Sequence, residues 1–129
     1  MKRERFESLV AQVIEELPGE FVDRLDNIVI VVEDYPTSAQ KNKIGRNYTI
    51  LGLYEGVPLT KRGVRYGLIQ PDKITIFRKP IEAQCSNDEE IVVEIQKVVL
   101  HEIAHYFGIS EAKLRQIEKA KAKRKKPHP

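Results

Sequence analysis

The segment from Ser86 to Gly108 leaves the chain little freedom. Ser86-Asn-Asp-Glu89 has the spacing of a capping box, with Ser86 as N-cap and Glu89 reaching back. A helix of about twenty residues then runs to Phe107 and stops at Gly108, a residue suited to the left-handed C′ position. Glu90, Glu94, Lys97, His101 and His105 draw one polar stripe along this otherwise apolar helix. Such a helix must bury its remaining surface against something else.

The rest of the chain supplies that partner. Phe6, Leu9, Val10, Val13, Ile14 and Leu17 recur at three- and four-residue intervals, which predicts an amphipathic helix stopped at Pro18-Gly19. A short second helix follows, with Phe21, Val22 and Leu25 as its apolar side. Ile28-Val-Ile-Val-Val32 is a continuous β-branched run, the pattern of a strand buried on both faces. Residues 33–47 are polar, contain Pro36 and Gly45, and read as a loop. Strands are expected over Tyr48–Tyr54, weakly over Val64–Ile69 because Gly67 interrupts it, and over Lys73–Phe77, entered through Pro71-Asp72 and left at Pro80. Ser110 is placed to cap a last helix carrying Leu114 and Ile117. The fold class is therefore α+β: a small mixed sheet with the long helix packed on one face. Residues 1–118 read as a single domain and 119–129 as a basic, disordered tail.

Composition narrows the function classes. Apolar residues make up 41% and charged residues 32% of the 129, which excludes a disordered or fibrous chain. No apolar run approaches the roughly 20 residues needed to span a bilayer. The charged start, Met1-Lys-Arg-Glu-Arg, offers no signal-peptide core. Cys85 is the one cysteine, so no internal disulfide forms and a cytoplasmic setting is the expectation; it reads as a small buried apolar residue. The net charge of +3 is a property of the tail. Lys119 to Pro129 holds six basic residues and no acidic one, and removing those six charges leaves the body at −3. The tail can touch nucleic acid through phosphates, but it lacks aromatic residues for stacking bases, so a solvated end is the simpler reading.

The chemistry lies in His101-Glu102-Ile-Ala-His105. At about 100° per residue, the two histidines sit about 40° apart on one helix face and one turn apart, so both imidazoles can reach one ion. Two neutral imidazoles plus a carboxylate suit zinc, with water in the fourth place. Glu102, beside the pair, can take a proton from that water rather than bind the metal. Gly108 can turn the chain back and bring Glu111 toward the ion as third ligand. Glu118, the one other acidic residue after His105, is the rival for that role. A plain solvated stripe would explain the two histidines, yet neither Glu102 nor Gly108. Oxyanion-stabilising donors, if protein supplies one, are to be sought among Tyr54, Arg65, Tyr66 and Arg78. Tyr106 reads as core.

The sequence also resembles a bacterial family of small zincin-like metallopeptidases, the minimal zincins. The resemblance rests on Leu51-Gly-Leu-Tyr-Glu-Gly-Val-Pro-Leu-Thr60, on Pro71-Asp72 leading into Ile74-Thr-Ile-Phe77, on Pro80-Ile81-Glu82, and on Val98-Val-Leu-His-Glu-Ile-Ala-His-Tyr-Phe-Gly-Ile-Ser110. It implies a minimal zincin fold and protease activity, with ligands at His101, His105 and Glu111 and the base at Glu102. The Gly108 turn is similar to that of metzincins, but no methionine lies downstream to build their methionine turn. In one zincin branch the third ligand is a glutamate on the following helix, which keeps Glu118 open. Zincins pair an extended substrate with an edge strand above the metal helix, and Tyr48–Tyr54 or Lys73–Phe77 are the candidates here. The expected activity is zinc-dependent cleavage of a peptide or flexible protein segment. The rival is a metal-holding adaptor, RNA- or ribosome-associated through its tail.

Overall fold

The computed structural model describes residues 1–17, 19–23, 25, 27–44, 50–56 and 72–109, together with 112, 113, 116 and 119. In chain order the elements are α1 (Arg3–Glu15), α2 (Gly19–Val22), β1 (Ile28–Glu33), α3 (Ser38–Ile44), β2 (Gly52–Glu55), β3 (Asp72–Phe77), α4 (Arg78–Ala83) and α5 (Asp88–Tyr106). The expected strand over Val64–Ile69 and the helix beyond Ser110 lie outside the described residues or largely so.

The sheet is mixed, as expected, in the order β1-β3-β2. β1 runs parallel to β3, with Ile28 opposite Asp72 and Glu33 opposite Phe77. β2 runs antiparallel to β3, with Gly52 opposite Ile76 and Tyr54 opposite Ile74. The alternation of a strand sorts its side chains between two faces. Ile74 and Ile76 join Phe6, Val10, Ile91, Ile95, Val99 and Ile103 in the main core, between the sheet and helices α1 and α5. Phe77 joins Leu53 and Ile50 in a second cluster on the other face.

Four local expectations are corrected. β1 is not buried on both faces: Val32 is its one buried residue and Val29 is 43% exposed. The alternate residues Ile28, Ile30 and Val32 pack on the main core, and the opposite face, which carries Val29, is open. The polar stretch after β1 is not all loop, because Thr37 and Gln40 form a reciprocal capping box that starts α3. The Gln40 amide donates to Thr37 Oγ1 at 3.1 Å, and the Thr37 amide donates to Gln40 Oε1 at 2.8 Å. β2 begins at Gly52, so Ile50 and Leu51 precede the strand, while Tyr48 and Thr49 lie outside the described residues. β3 passes directly into α4 instead of leaving the sheet for a turn. Pro80 sits in the first turn of α4, where its missing N–H has no intrahelical partner to lose.

Candidate metal centre

Helix α5 carries the centre, and both of its ends are fastened. The N-cap is Asn87 rather than Ser86. Asn87 is extended, and its side-chain oxygen accepts the Glu90 amide at 2.9 Å. Glu90, in turn, accepts the Ser86 amide at 2.8 Å. The capping pattern lies one residue further along because Asn caps as well as Ser. The acid that closes it is accordingly Glu90, not Glu89. Asp88, Glu89 and Glu90 in the first turn face the positive end of the helix dipole.

At the other end the chain makes a Schellman motif. The Gly108 amide donates to His105 O at 2.9 Å and the Ile109 amide to Ala104 O at 2.9 Å. Gly108 has φ 76°, a conformation in which a side chain would be strained. The helix therefore turns immediately after the histidines, as the sequence requires of this glycine. Glu111 and Glu118 lie beyond the turn, outside the described residues.

Between these ends, His101 and His105 come together. Their ring centroids are 4.7 Å apart and their planes are inclined by 65°. Both rings are half-buried, whereas Glu102 is 5% exposed. Glu102 Oε1 lies 3.6 Å from His105 Nδ1. One ligand atom from each of the three side chains falls within 4.8 Å of the others. The structure thus assembles His101, Glu102 and His105 into one cluster that can hold a metal ion. Two imidazoles and a carboxylate match the donor preferences of zinc, so the residues present fit such an ion. By distance alone Glu102 is as available to an ion as either histidine.

The surroundings correct several sequence-based assignments. Tyr54 is no spare oxyanion donor, since its hydroxyl donates to Asp72 Oδ2 at 2.5 Å. Asp72 is completely buried, and its carboxylate lies against the Gly56 backbone so closely that a methyl group there would come within 2.4 Å of it. The Tyr54 ring meets Tyr106 edge-on at 6.0 Å, and Tyr106 is core, as expected, at 2% exposure. Arg78 is likewise committed elsewhere. Its guanidinium donates to Asp34 Oδ1 at 3.0 Å, to the Met1 carbonyl at 2.8 Å and to Glu82 Oε1 at 3.3 Å. This clamp ties the end of β1 to α4. It raises the Arg78 pKa, chiefly through the Asp34 hydrogen bond, and lowers that of Asp34 for the same reason. Arg65 and Tyr66 lie outside the described residues.

Lys73–Phe77 cannot offer a free edge, because β3 is paired on both sides. β2 has one strand neighbour among the described residues. Cys85 is half-buried rather than fully buried and packs against the core. Burial pushes its thiol pKa up, and Glu94 and Glu90 push it further, so it is a poor thiolate ligand. Asp72 is the buried residue that sequence reasoning misses: a turn-like aspartate after proline that becomes the first residue of the central strand. Its partner Tyr54, next to last in β2 and opposite that same strand, is the available signal for it.

Among the described residues no helix is long and apolar enough to cross a membrane. A family model described as Zincin-like metallopeptidase matches residues 25–121, most of the chain. No curated protein matches it. Among solved structures, a conserved hypothetical protein from Thermo thermophilus superposes with a TM-score of 0.56 at 21% identity, covering 83% of this chain and 94% of that one. At that identity the likeness is one of fold.

Proposed function

This chain belongs to the zincin-like metallopeptidase family, and we propose that it is a zinc-dependent peptidase in which His101, His105 and Glu111 hold the ion and Glu102 is the general base. The observation that carries the reading is the buried Glu102 carboxylate placed with two more open imidazoles at the end of one helix. Zinc, when bound, supplies Lewis acidity and lowers the pKa of a water. The protein's own part is to hold and move protons. Glu102 lies about 100° round the helix from His101 and about 60° from His105, to one side of the two imidazoles, and the reading gives it the proton-accepting role rather than direct ligation. From there it can take a proton from water and return it to the leaving amine. The imidazole nitrogens supply lone pairs to the ion.

An extended peptide or a flexible protein segment is the proposed substrate. β2 lies against α5, which puts this side of the sheet next to the proposed site, where an extended segment would lie. The test is zinc content and hydrolysis of an unfolded protein, measured for the wild type, His105→Ala, Glu102→Gln, Glu111→Gln and Glu118→Gln. The reading expects His105→Ala and Glu111→Gln to lose zinc, and Glu102→Gln to keep zinc while losing turnover. Zinc loss in Glu102→Gln would make that residue a ligand. Zinc loss in Glu118→Gln but not Glu111→Gln would move the third ligand. A zinc-loaded wild type that cleaves nothing would favour an adaptor.

A further inference from the structure

Gly52, the first residue of β2, stands where the sheet meets the metal-binding part of α5. It pairs with Ile76, whose side chain faces the main core, so the missing side chain of Gly52 would point at the helix. A methyl group placed there would lie 2.6 Å from Val98 Cγ1, 3.2 Å from Glu102 Cγ and 3.4 Å from the Thr75 carbonyl oxygen. The first distance is a collision, the second requires Glu102 to give way, and the third is ordinary contact. Val98 and Glu102 are both buried, so neither can swing into solvent. In a close-packed interior the displacement passes to whatever is softest. Here that is the Glu102 side chain or the separation of β2 from α5.

We propose that Gly52 is a positioning residue: its lack of a side chain lets the backbone of β2 form the wall against which Glu102 is held beside His101 and His105. The inference rests on the proposed role of Glu102. Neither histidine supplies one of the three atoms nearest the Gly52 position, so a substitution there presses on the base first. A substitution at Gly52 therefore acts on proton transfer before it acts on ion binding. Misplacing a catalytic group by about 1 Å costs on the order of 100-fold in rate.

The experiment compares wild type, Gly52→Ala and the double variant Gly52→Ala/Val98→Ala, the last of which removes the atom responsible for the worst collision. Each is measured for zinc affinity, for kcat and KM on an unfolded protein, and, in the metal-free state, for the NMR resonances of labelled Glu102, His101 and His105. The expected result for Gly52→Ala is a kcat lower by about 10- to 100-fold, with KM and zinc affinity unchanged and the Glu102 resonances displaced further than those of His101. If Gly52→Ala fails to fold, the double variant carries the same expectation, because the approach to Glu102 Cγ remains. A folded variant with wild-type kcat, a loss confined to KM or zinc affinity, or an unmoved Glu102 resonance would overturn the inference. A wild type that binds zinc and hydrolyses nothing would instead overturn the functional reading, and the NMR displacement would still decide the placement.

Discussion

Removing one oxygen atom, by Tyr54→Phe, tests how the sheet is fastened beside α5. The hydroxyl donates to a carboxylate that is completely buried, at 2.5 Å. An intramolecular hydrogen bond contributes about 0.5–1.5 kcal/mol net, and a buried acceptor that loses a donor regains no water in exchange, which raises the cost to about 1–3 kcal/mol. The phenyl ring of the variant keeps the edge-on contact with Tyr106, so the aromatic contribution of about 0.5–1.5 kcal/mol cancels in the comparison. The expected loss is therefore about 2 kcal/mol, a fall in Tm of about 5–10 °C for a domain of this size. Urea unfolding with a common m-value measures it directly. A loss under about 0.5 kcal/mol would refute the idea that this bond helps hold β2 to β3. A variant of unchanged stability but greatly reduced kcat would return the Tyr54 hydroxyl to the groups that face substrate.

Two further substitutions probe the frame. Asp34→Asn should lower Tm at neutral pH, where the Arg78 hydrogen bond holds the Asp34 carboxyl below the usual carboxylate range. Because the folded pKa is depressed, that contribution is present above the unfolded value of about 3.9 and fades as pH falls through the folded one; a Tm gap between wild type and variant that stayed constant from neutral pH down to about pH 2 would contradict this. Thr75→Val should stabilise the protein by about 1 kcal/mol, since Thr75 is completely buried and its hydroxyl has no hydrogen-bond partner among the described residues. Thr75 pairs with Leu53 on the sheet face away from α5, so catalysis should be unaffected. Equal or lower stability by urea unfolding would show that the hydroxyl is satisfied in solution.

Those parts of the centre that depend on neighbours along the chain are legible in the amino-acid order alone. The spacing of His101, Glu102 and His105 fixes their relative positions once a helix exists, and Gly108 ends that helix because few other residues tolerate its φ of 76°. The helix start is legible too, though displaced by one residue, since Ser86 and Asn87 compete to cap and local pattern does not separate them. The same kind of local signal, Thr37 with Gln40, is present in a stretch whose polarity suggests only loop. The remainder had to wait for segments to pack. The β-branched run of β1 suggests a strand covered on both faces, yet Ile28, Ile30 and Val32 pack on the main core while Val29, on the other face, is exposed. Tyr54 and Asp72 are 18 residues apart and Arg78 and Asp34 are 44 apart, so these donors cannot be assigned before the sheet has formed. Gly52 looks like a gap in a strand pattern, and it becomes meaningful when α5 is packed across it. Periodicity reports which way a side chain leaves its own backbone; what it meets there is settled by segments brought together from far along the chain, at an entropic cost that no local pattern encodes.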